Sequence, residues 1–223
     1  MNSIFPGDLA APRGRLLAWI DSLFVDHALL RLAWRNWGEV VPGVLYRANH
    51  PTPGGLARAD RRVGLASVIT LRGATAGGSG ALSREAAERL GIAVIDAPLS
   101  SGRAPPRETL LSLAAALQAA PKPALVHCKS GADRAGFAAA LFLLLHGTPT
   151  HIARAELSWR YGHLRRSRAG VLDAVLAAYA AEAEGRMGVL DWIKTGYDAE
   201  AITTRFNASG LAGLLHDRVL RRE

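Results

Sequence analysis

The chain has 223 residues, of which 49% are hydrophobic and 21% charged, and these proportions exclude a disordered or fibrous protein. No run of about 18 apolar residues occurs, so no membrane span is expected, and residues 1–7 lack the pattern of a secretory signal. The single cysteine excludes an internal disulfide and a multi-cysteine zinc site, and it favours a reducing cytoplasm.

The net charge of +8 suits anionic partners such as phosphate esters, nucleic acid or an acidic membrane surface. Only three of the 27 basic residues are lysines, and genomic base composition is an alternative explanation for this excess of arginine. No nucleic-acid-binding motif and no alternation of basic and aromatic residues is present, so no nucleic-acid partner is expected. Trp19, Trp34 and Trp37 allow peripheral contact with an acidic membrane, although packing against the core explains them more simply.

The first part of the chain predicts a helix over 13–37. Short strands over 44–49 and 66–72 follow, with a helix over 54–63 between them. Residues 73–82 are rich in glycine and predict a flexible loop.

Strands and helices then alternate. In chain order we expect a helix over 83–90 capped by Ser83, a strand over 93–99, a helix over 105–120, a strand over 122–127 and a helix over 132–145. Residues 149–223 predict further helices and no strand.

This alternation indicates an α/β fold with a central, mostly parallel sheet of four to five strands flanked by helices. We expect a helical N-terminal extension over 1–40, a catalytic domain over 41–185, and a helical C-terminal extension over 186–223 that packs on the same domain.

The segment after the strand over 122–127 carries the chemistry. The only cysteine, Cys128, follows the strand, and Arg134 lies six positions later in the first turn of the next helix. Ligands bind beyond the carboxyl ends of strands in open α/β sheets. Several amide N–H groups of the short loop can point at one centre there, and the helix dipole adds positive potential, which makes an anion site.

These residue types together indicate hydrolysis of a phosphate ester. The Cys128 thiolate would attack phosphorus, while the loop residues Lys129 to Asp133 and the planar fork of Arg134 hold the phosphate oxygens. Water would then hydrolyse the phosphocysteine. No metal or other cofactor is expected, because Arg134 and the amides supply the electrostatic stabilisation.

The run His127-Cys128-Lys129-Ser130-Gly131-Ala132-Asp133-Arg134 resembles the H-C-x-x-G-x-x-R motif of the cysteine-dependent protein tyrosine and dual-specificity phosphatase superfamily. The loop Asp133 and the following Gly136 resemble a compact bacterial subset. Residues 44–53 and 68–72 are similar to two further segments of such members, so the resemblance covers about 42–147. It implies a phosphatase with a phosphocysteine intermediate on Cys128.

Two features depart from that family. Its members usually carry Ser or Thr after the arginine, where this chain has Ala135, with Ser130 as a substitute hydroxyl. The loop over 100–105 lacks the usual acidic residue, which leaves Asp133 as the favoured general acid and Asp96 as the alternative. Asp133 could instead only shape the loop.

Other polar residues have supporting roles. His127 is expected to order the loop from behind, and Arg103 to reach the pocket. Lys129 faces solvent or substrate, and Arg47 and Arg72 fit structural ion pairs equally well. The basic run over 161–168 either flanks the pocket or forms a solvated turn between helices, and the second interpretation is favoured.

The sequence therefore favours a phosphotyrosine or dual-specificity phosphatase whose partner is a phosphorylated protein or another phosphomonoester. The alternatives are a phosphatase of lipid or inositol phosphates, and a phosphate-binding pseudophosphatase with low turnover. The oligomeric state is not indicated by the sequence.

Overall fold

Five short strands form one sheet in the order β1-β2-β5-β3-β4. The strands are β1 (Gly38–Val41), β2 (Leu45–Ala48), β3 (Ser67–Thr70), β4 (Ala93–Asp96) and β5 (Ala124–His127). All neighbours are parallel except β1 and β2, which are antiparallel. The computed structural model describes residues 3–26, 34–73 and 77–208.

Helices cover both faces of the sheet. The α-helices are α1 (Pro12–Ile20), α2 (Pro53–Val63), α3 (Gly77–Arg89), α4 (Arg107–Ala119), α5 (Asp133–Leu145), α6 (Thr150–Ala153), α7 (Val171–Glu182) and α8 (Val189–Thr195). A π-helical turn, Asp21–Val25, continues α1, and 3-10 turns lie at Arg154–Glu156, Trp159–Tyr161 and Arg168–Gly170. Residues 199–208 are also helical. No helix within the described ranges is long and apolar enough to cross a membrane.

Alternate strand residues supply two hydrophobic cores. On one face, Leu45, Ile69 and Val126 pack with buried residues of α4, α5, α7 and α8. On the other face, Tyr46 and Leu125 pack with buried residues of α2 and α3. The side-chain period of two in a strand explains this division, and burial of both faces explains why the strands are nearly continuously apolar.

The sheet register brings the strand ends that carry the predicted site to one edge. His127 at the end of β5 lies opposite both Ala48 of β2 and Thr70 of β3. Cys128 therefore leaves the sheet from its central strand, with the ends of two neighbouring strands beside it.

The predicted α/β class with a mostly parallel sheet is confirmed, and all four predicted strands are present in shortened form. Strand β1 was not predicted, and the helix expected over 13–37 is wrong over 34–37, because those residues are not helical. The part of that prediction over 27–33, and the helical predictions over 209–223, fall outside the described residues.

The expected flexible loop over 73–82 is wrong from Gly77 onward, and Ser83 lies inside α3 instead of capping it. A Cβ at Gly78 would lie 2.5 Å from Ala18 O, so the glycine allows α1 and α3 to approach closely. Asp21 Oδ2 accepts the Gly78 N–H at 2.8 Å. Tertiary packing thus stabilises a helix that local propensity disfavours. Residues 74–76 lie outside the described part.

Candidate active site

The loop from Cys128 to Ala132 joins the end of β5 to the start of α5. Gly131 has a φ of +77°, in the left-handed region that favours glycine. A Cβ there would also lie 2.6 Å from Asn49 N, so the loop passes directly over the backbone that follows β2. Both constraints explain why glycine is needed at this point of the motif.

All five carbonyl groups of this loop accept hydrogen bonds from donors around its outside. The donors are His127 Nδ1 to Cys128 O (3.2 Å), His50 N to Lys129 O (3.1 Å), Asn36 Nδ2 to Ser130 O (2.9 Å), and Arg47 Nη2 to Gly131 O (2.5 Å) and Ala132 O (3.1 Å). In a trans peptide the N–H points opposite to the C=O. The next amide N–H groups are therefore directed toward the inside of the loop, where they form an anion-binding concavity.

Cys128 lies at the centre of this concavity. Cys128 is 2% exposed, and its Sγ accepts a hydrogen bond from the Gly131 N–H at 3.2 Å. Helix α5 begins five residues later, at Asp133, so the helix dipole adds to the positive potential of the amides around the sulfur.

Arg134 is fixed beside the loop by the ends of two other segments. Its Nη1 donates to Leu71 O at 3.2 Å and to Leu99 O at 3.3 Å. These acceptors bind one side of the guanidinium, and Arg134 also lines the pocket described below. The remaining N–H groups are suited to bind two phosphate oxygens.

Arg47 supports the loop from the core. Its side chain is fully buried, pairs with Glu156 Oε2 at 2.7 Å and lies over the Tyr161 ring, 3.8 Å from its centroid. A Cβ at Gly136 would lie 2.5 Å from Glu156 O and 3.2 Å from Arg47 Nη2, so that glycine provides the space for this pair. Arg47 is thus a structural ion-pair residue that also holds two loop carbonyls.

A pocket of about 480 Å³ opens over the loop. Its lining residues are Asp26, Trp34, Asn36, Asn49, Lys129, Ser130, Ala132, Asp133, Arg134, Tyr161 and Gly162. Five of the six residues from Lys129 to Arg134 line it, all except Gly131, so the pocket is the space from which a ligand reaches the loop.

Asp133 is the first of three polar side chains that contact one another in a row from the pocket into the core. Its Oδ1 lies 2.6 Å from His163 Nδ1, and His163 Nε2 lies 2.5 Å from Asp173 Oδ2. The His163 side chain is fully buried, whereas that of Asp133 is 30% exposed. Burial opposes the charged imidazolium, but the hydrogen bonds and charges of Asp133 and Asp173 outweigh it and raise the pKa of His163 from 6.5 to about 9.

The supporting residues expected from sequence occupy different places. His127 is buried behind the loop and packs edge-on against His50, with ring centroids 4.8 Å apart. Lys129 Nζ lies 3.3 Å from Asp26 Oδ1, and Asp26 also forms a two-point pair with Arg72. Ser130 Oγ accepts the N–H of Ala132 at 3.3 Å.

The structure does not bring Asp96 or Arg103 into the pocket. Asp96 pairs with Arg84, and the whole of β3 separates it from His127, which corresponds to about 10 Å across two strand spacings. Arg103 is exposed, and neither residue is among those that line the pocket. Ala135, at the position of the usual hydroxyl, is completely buried.

Sequence reasoning missed several residues of the site, among them Asp26, Asn36 and Asp173. The favoured interpretation of 161–168 as a solvated turn is wrong for Tyr161 and His163, which are 8% and 2% exposed. Tyr161 lines the pocket and His163 contacts Asp133. The only signal was the presence of histidine and tyrosine within an arginine-rich run.

Comparison with known proteins agrees with this geometry. The family model for the Swiss Army Knife protein DSP-PTPase phosphatase domain, PTP-SAK, matches residues 34–177, which is more than half of the chain. The chain therefore belongs to this family of phosphatase domains. The search of curated proteins found no match.

Two solved structures show the same fold. TpbA of P. aeruginosa is 20% identical, with 78% of this chain and 91% of that chain covered and a TM-score of 0.50. The DUF442 protein of Shewanella putrefaciens CN-32 is 21% identical, with 66% of this chain and 90% of that chain covered and a TM-score of 0.53.

Replacing Arg47 tests the support of the loop. Arg47→Met leaves Glu156 and two loop carbonyls without their buried partner, so the free energy of unfolding should fall by about 3–5 kcal/mol. The matched control is Arg62→Met, which removes an exposed pair with Glu39 and should cost less than about 1 kcal/mol. Urea unfolding measures both, and equal losses would contradict the supporting role of Arg47.

The raised pKa of His163 predicts a pH dependence of stability. A group whose pKa is higher in the folded state stabilises fully below its unfolded value of 6.5, and this contribution disappears as the pH rises through about 9. The difference in unfolding free energy between wild type and His163→Asn should therefore shrink between pH 6.5 and 9. Urea unfolding across this range measures it, and a constant difference would refute the assignment.

Proposed function

We propose that this chain hydrolyses phosphate monoesters through a phosphocysteine intermediate on Cys128. The observation that carries the proposal is the orientation of the loop over residues 128–132. Its carbonyls are bound on the outside, while its amides and Arg134 surround the space next to Cys128 Sγ. This arrangement suits three phosphate oxygens around a phosphorus atom in line with sulfur.

The reaction would proceed in two displacements. The Cys128 thiolate attacks phosphorus, an S–P bond forms, and the bond from phosphorus to the leaving oxygen breaks as that oxygen takes a proton. Water then attacks phosphorus, the S–P bond breaks, and the thiolate and inorganic phosphate are regenerated. The mechanism needs a reduced thiol, which suits a reducing compartment such as the cytoplasm.

Asp133 is our candidate for the group that supplies the proton. It is the only carboxylate of the loop and helix N-terminus that lines the pocket. Both oxygens of the other pocket carboxylate, Asp26, are bound by the Nη atoms of Arg72, at 2.7 and 2.8 Å. Geometry therefore favours Asp133 over Asp26, and over Asp96 beside Arg84.

The pocket supports a phosphorylated aromatic side chain, as in a phosphotyrosine or dual-specificity protein phosphatase. Its volume of about 480 Å³ accommodates such a group, and the 58% exposed Trp34 gives it an aromatic wall. Asp26 Oδ1 lies 3.3 Å from Lys129 Nζ, so the charge of this lysine is partly offset by a carboxylate that it shares with Arg72.

Substitution of the nucleophile tests the mechanism. Cys128→Ser should lose hydrolysis of an aryl phosphate while still binding vanadate, because the amides and Arg134 remain. Arg134→Lys should lose both vanadate binding and rate, since lysine lacks the planar fork. Steady-state rates and vanadate titrations measure these effects.

Near-normal hydrolysis by Cys128→Ser would refute the mechanism. Accumulation of a stable phosphocysteine in wild type, with negligible release of phosphate, would instead support a pseudophosphatase. Ala135 motivates this second outcome, because no hydroxyl follows Arg134 to assist the departure of sulfur.

A lipid phosphate is a second candidate substrate, favoured by one surface near the pocket. Trp159 and Leu164 are 84% and 65% exposed, and Arg160, Arg165 and Arg166 are exposed around them. Tyr161 and Gly162 of the same segment line the pocket. Exposed Trp and Leu among arginines are typical of surfaces that contact anionic membranes.

Vesicle binding tests this candidate. If it is correct, Trp159→Ala with Leu164→Ala should weaken binding to vesicles that contain phosphatidylglycerol by roughly tenfold or more. Hydrolysis of a soluble aryl phosphate should stay unchanged. Ile152→Ala, which truncates a 52% exposed side chain of α6, is the matched control. Equal sedimentation of wild type with anionic and zwitterionic vesicles would refute the lipid candidate.

A further inference from the structure

The fully buried His163 connects the loop over 128–132 to α7, a helix from which no residue lines the pocket. His163 contacts Asp133 at the start of α5 through Nδ1 and Asp173 in the first turn of α7 through Nε2. A histidine with both ring nitrogens bound to carboxylates has two acceptors for two N–H groups, so both nitrogens donate. The ring is therefore held as an imidazolium between two carboxyl groups, whose oxygens accept its two N–H groups.

The two aspartates that contact His163 differ in their exposure and in their other contacts. The Asp173 side chain is 8% exposed, and its Oδ1 lies 3.2 Å from Arg165 Nε and 3.7 Å from Arg154 Nη2. The Asp133 side chain is 30% exposed and reaches the pocket. Asp173 is thus anchored by its surroundings, while Asp133 is the end that a substrate can reach.

We propose that His163 is a positioning residue that holds Asp133 Oδ1 and leaves Oδ2 to exchange protons with substrate and water. The inference rests on the proposed function. In the first displacement Oδ2–H gives its proton to the leaving oxygen as the bond to phosphorus breaks. In the second, the carboxylate takes a proton from the attacking water as the S–P bond breaks, so Asp133 returns to its starting form. His163 keeps both of its protons throughout.

The charge of His163 gives this role a measurable signature. The charged groups that face it are Asp133 from α5 and Asp173 from α7, with Arg165 and Arg154 beyond Asp173. Removing this positive charge makes the loss of a proton from the site less favourable, so the basic limb of the rate profile should move to higher pH.

The decisive variant is His163→Asn, whose amide can still donate to Asp133 but carries no charge. Its kcat on an alkyl phosphate should fall about 10–100-fold, the usual effect of losing an orienting partner, with KM changed only a few-fold. The basic limb of its kcat/KM profile should move to higher pH by about one unit. Asp173→Asn should shift the limb in the same direction, and His151→Asn, an exposed histidine of α6, should change neither quantity.

Because the stabilities of wild type and His163→Asn are expected to depend on pH differently, the folded fraction is measured at each pH and the rates are divided by it, so partial unfolding does not obscure the result. A basic limb at the wild-type pH in both His163→Asn and Asp173→Asn would overturn the inference and leave His163 a merely structural residue. If wild type shows no hydrolysis that depends on Cys128, the proposed function is overturned instead. A low-field Nδ1 proton resonance in wild type that disappears in Asp133→Asn would support the His163 contact independently of activity.

Discussion

The site depends on one constraint, namely that five successive loop carbonyls point away from the centre that their amides surround. A loop of this kind cannot hold its own carbonyls outward, so donors from elsewhere must bind them. Arg47 contributes most, because it reaches two carbonyls and pairs with Glu156 while fully buried. A buried cation is costly unless it is paired and hydrogen-bonded. The fold provides these partners in Glu156 and the two loop carbonyls. Arg47 can therefore keep the carbonyls outward and the amides directed at the site.

The strands and helices around the loop leave little room for these groups to move. The central strand β5 delivers Cys128 between β2 and β3, and α5 starts at Asp133 and directs its N-terminus toward the same centre. At Gly131 and Gly136 the neighbouring backbone passes too close to leave room for a side chain. The apolar body of α5 anchors this arrangement in the larger core. Packing energy thus maintains a polar site that local propensities would not produce.

Much of this could be predicted from the sequence, because the predictable parts are local. Four strands, the fold class, and the loop with Cys128 and Arg134 follow from apolar runs and from the spacing within one segment. The missed parts depend on distant contacts. Helix α3 begins in a glycine-rich stretch because Gly78 packs on Ala18, and His163 is buried because two aspartates 40 residues apart in the chain both reach it. Nothing within either segment indicates those partners.

The contact of Asp26 with Lys129 and Arg72 has a further consequence for how this domain diverges. The family match begins at residue 34, yet Asp26 precedes it and forms part of the pocket wall. The matched region therefore contains Cys128 and its loop, whereas a segment outside it sets part of the charge that an incoming ligand meets. One wall of the pocket thus comes from a stretch of chain that the family model does not include. A lineage could change that segment, and with it the charge at the mouth of the pocket, without rebuilding the loop over 128–132.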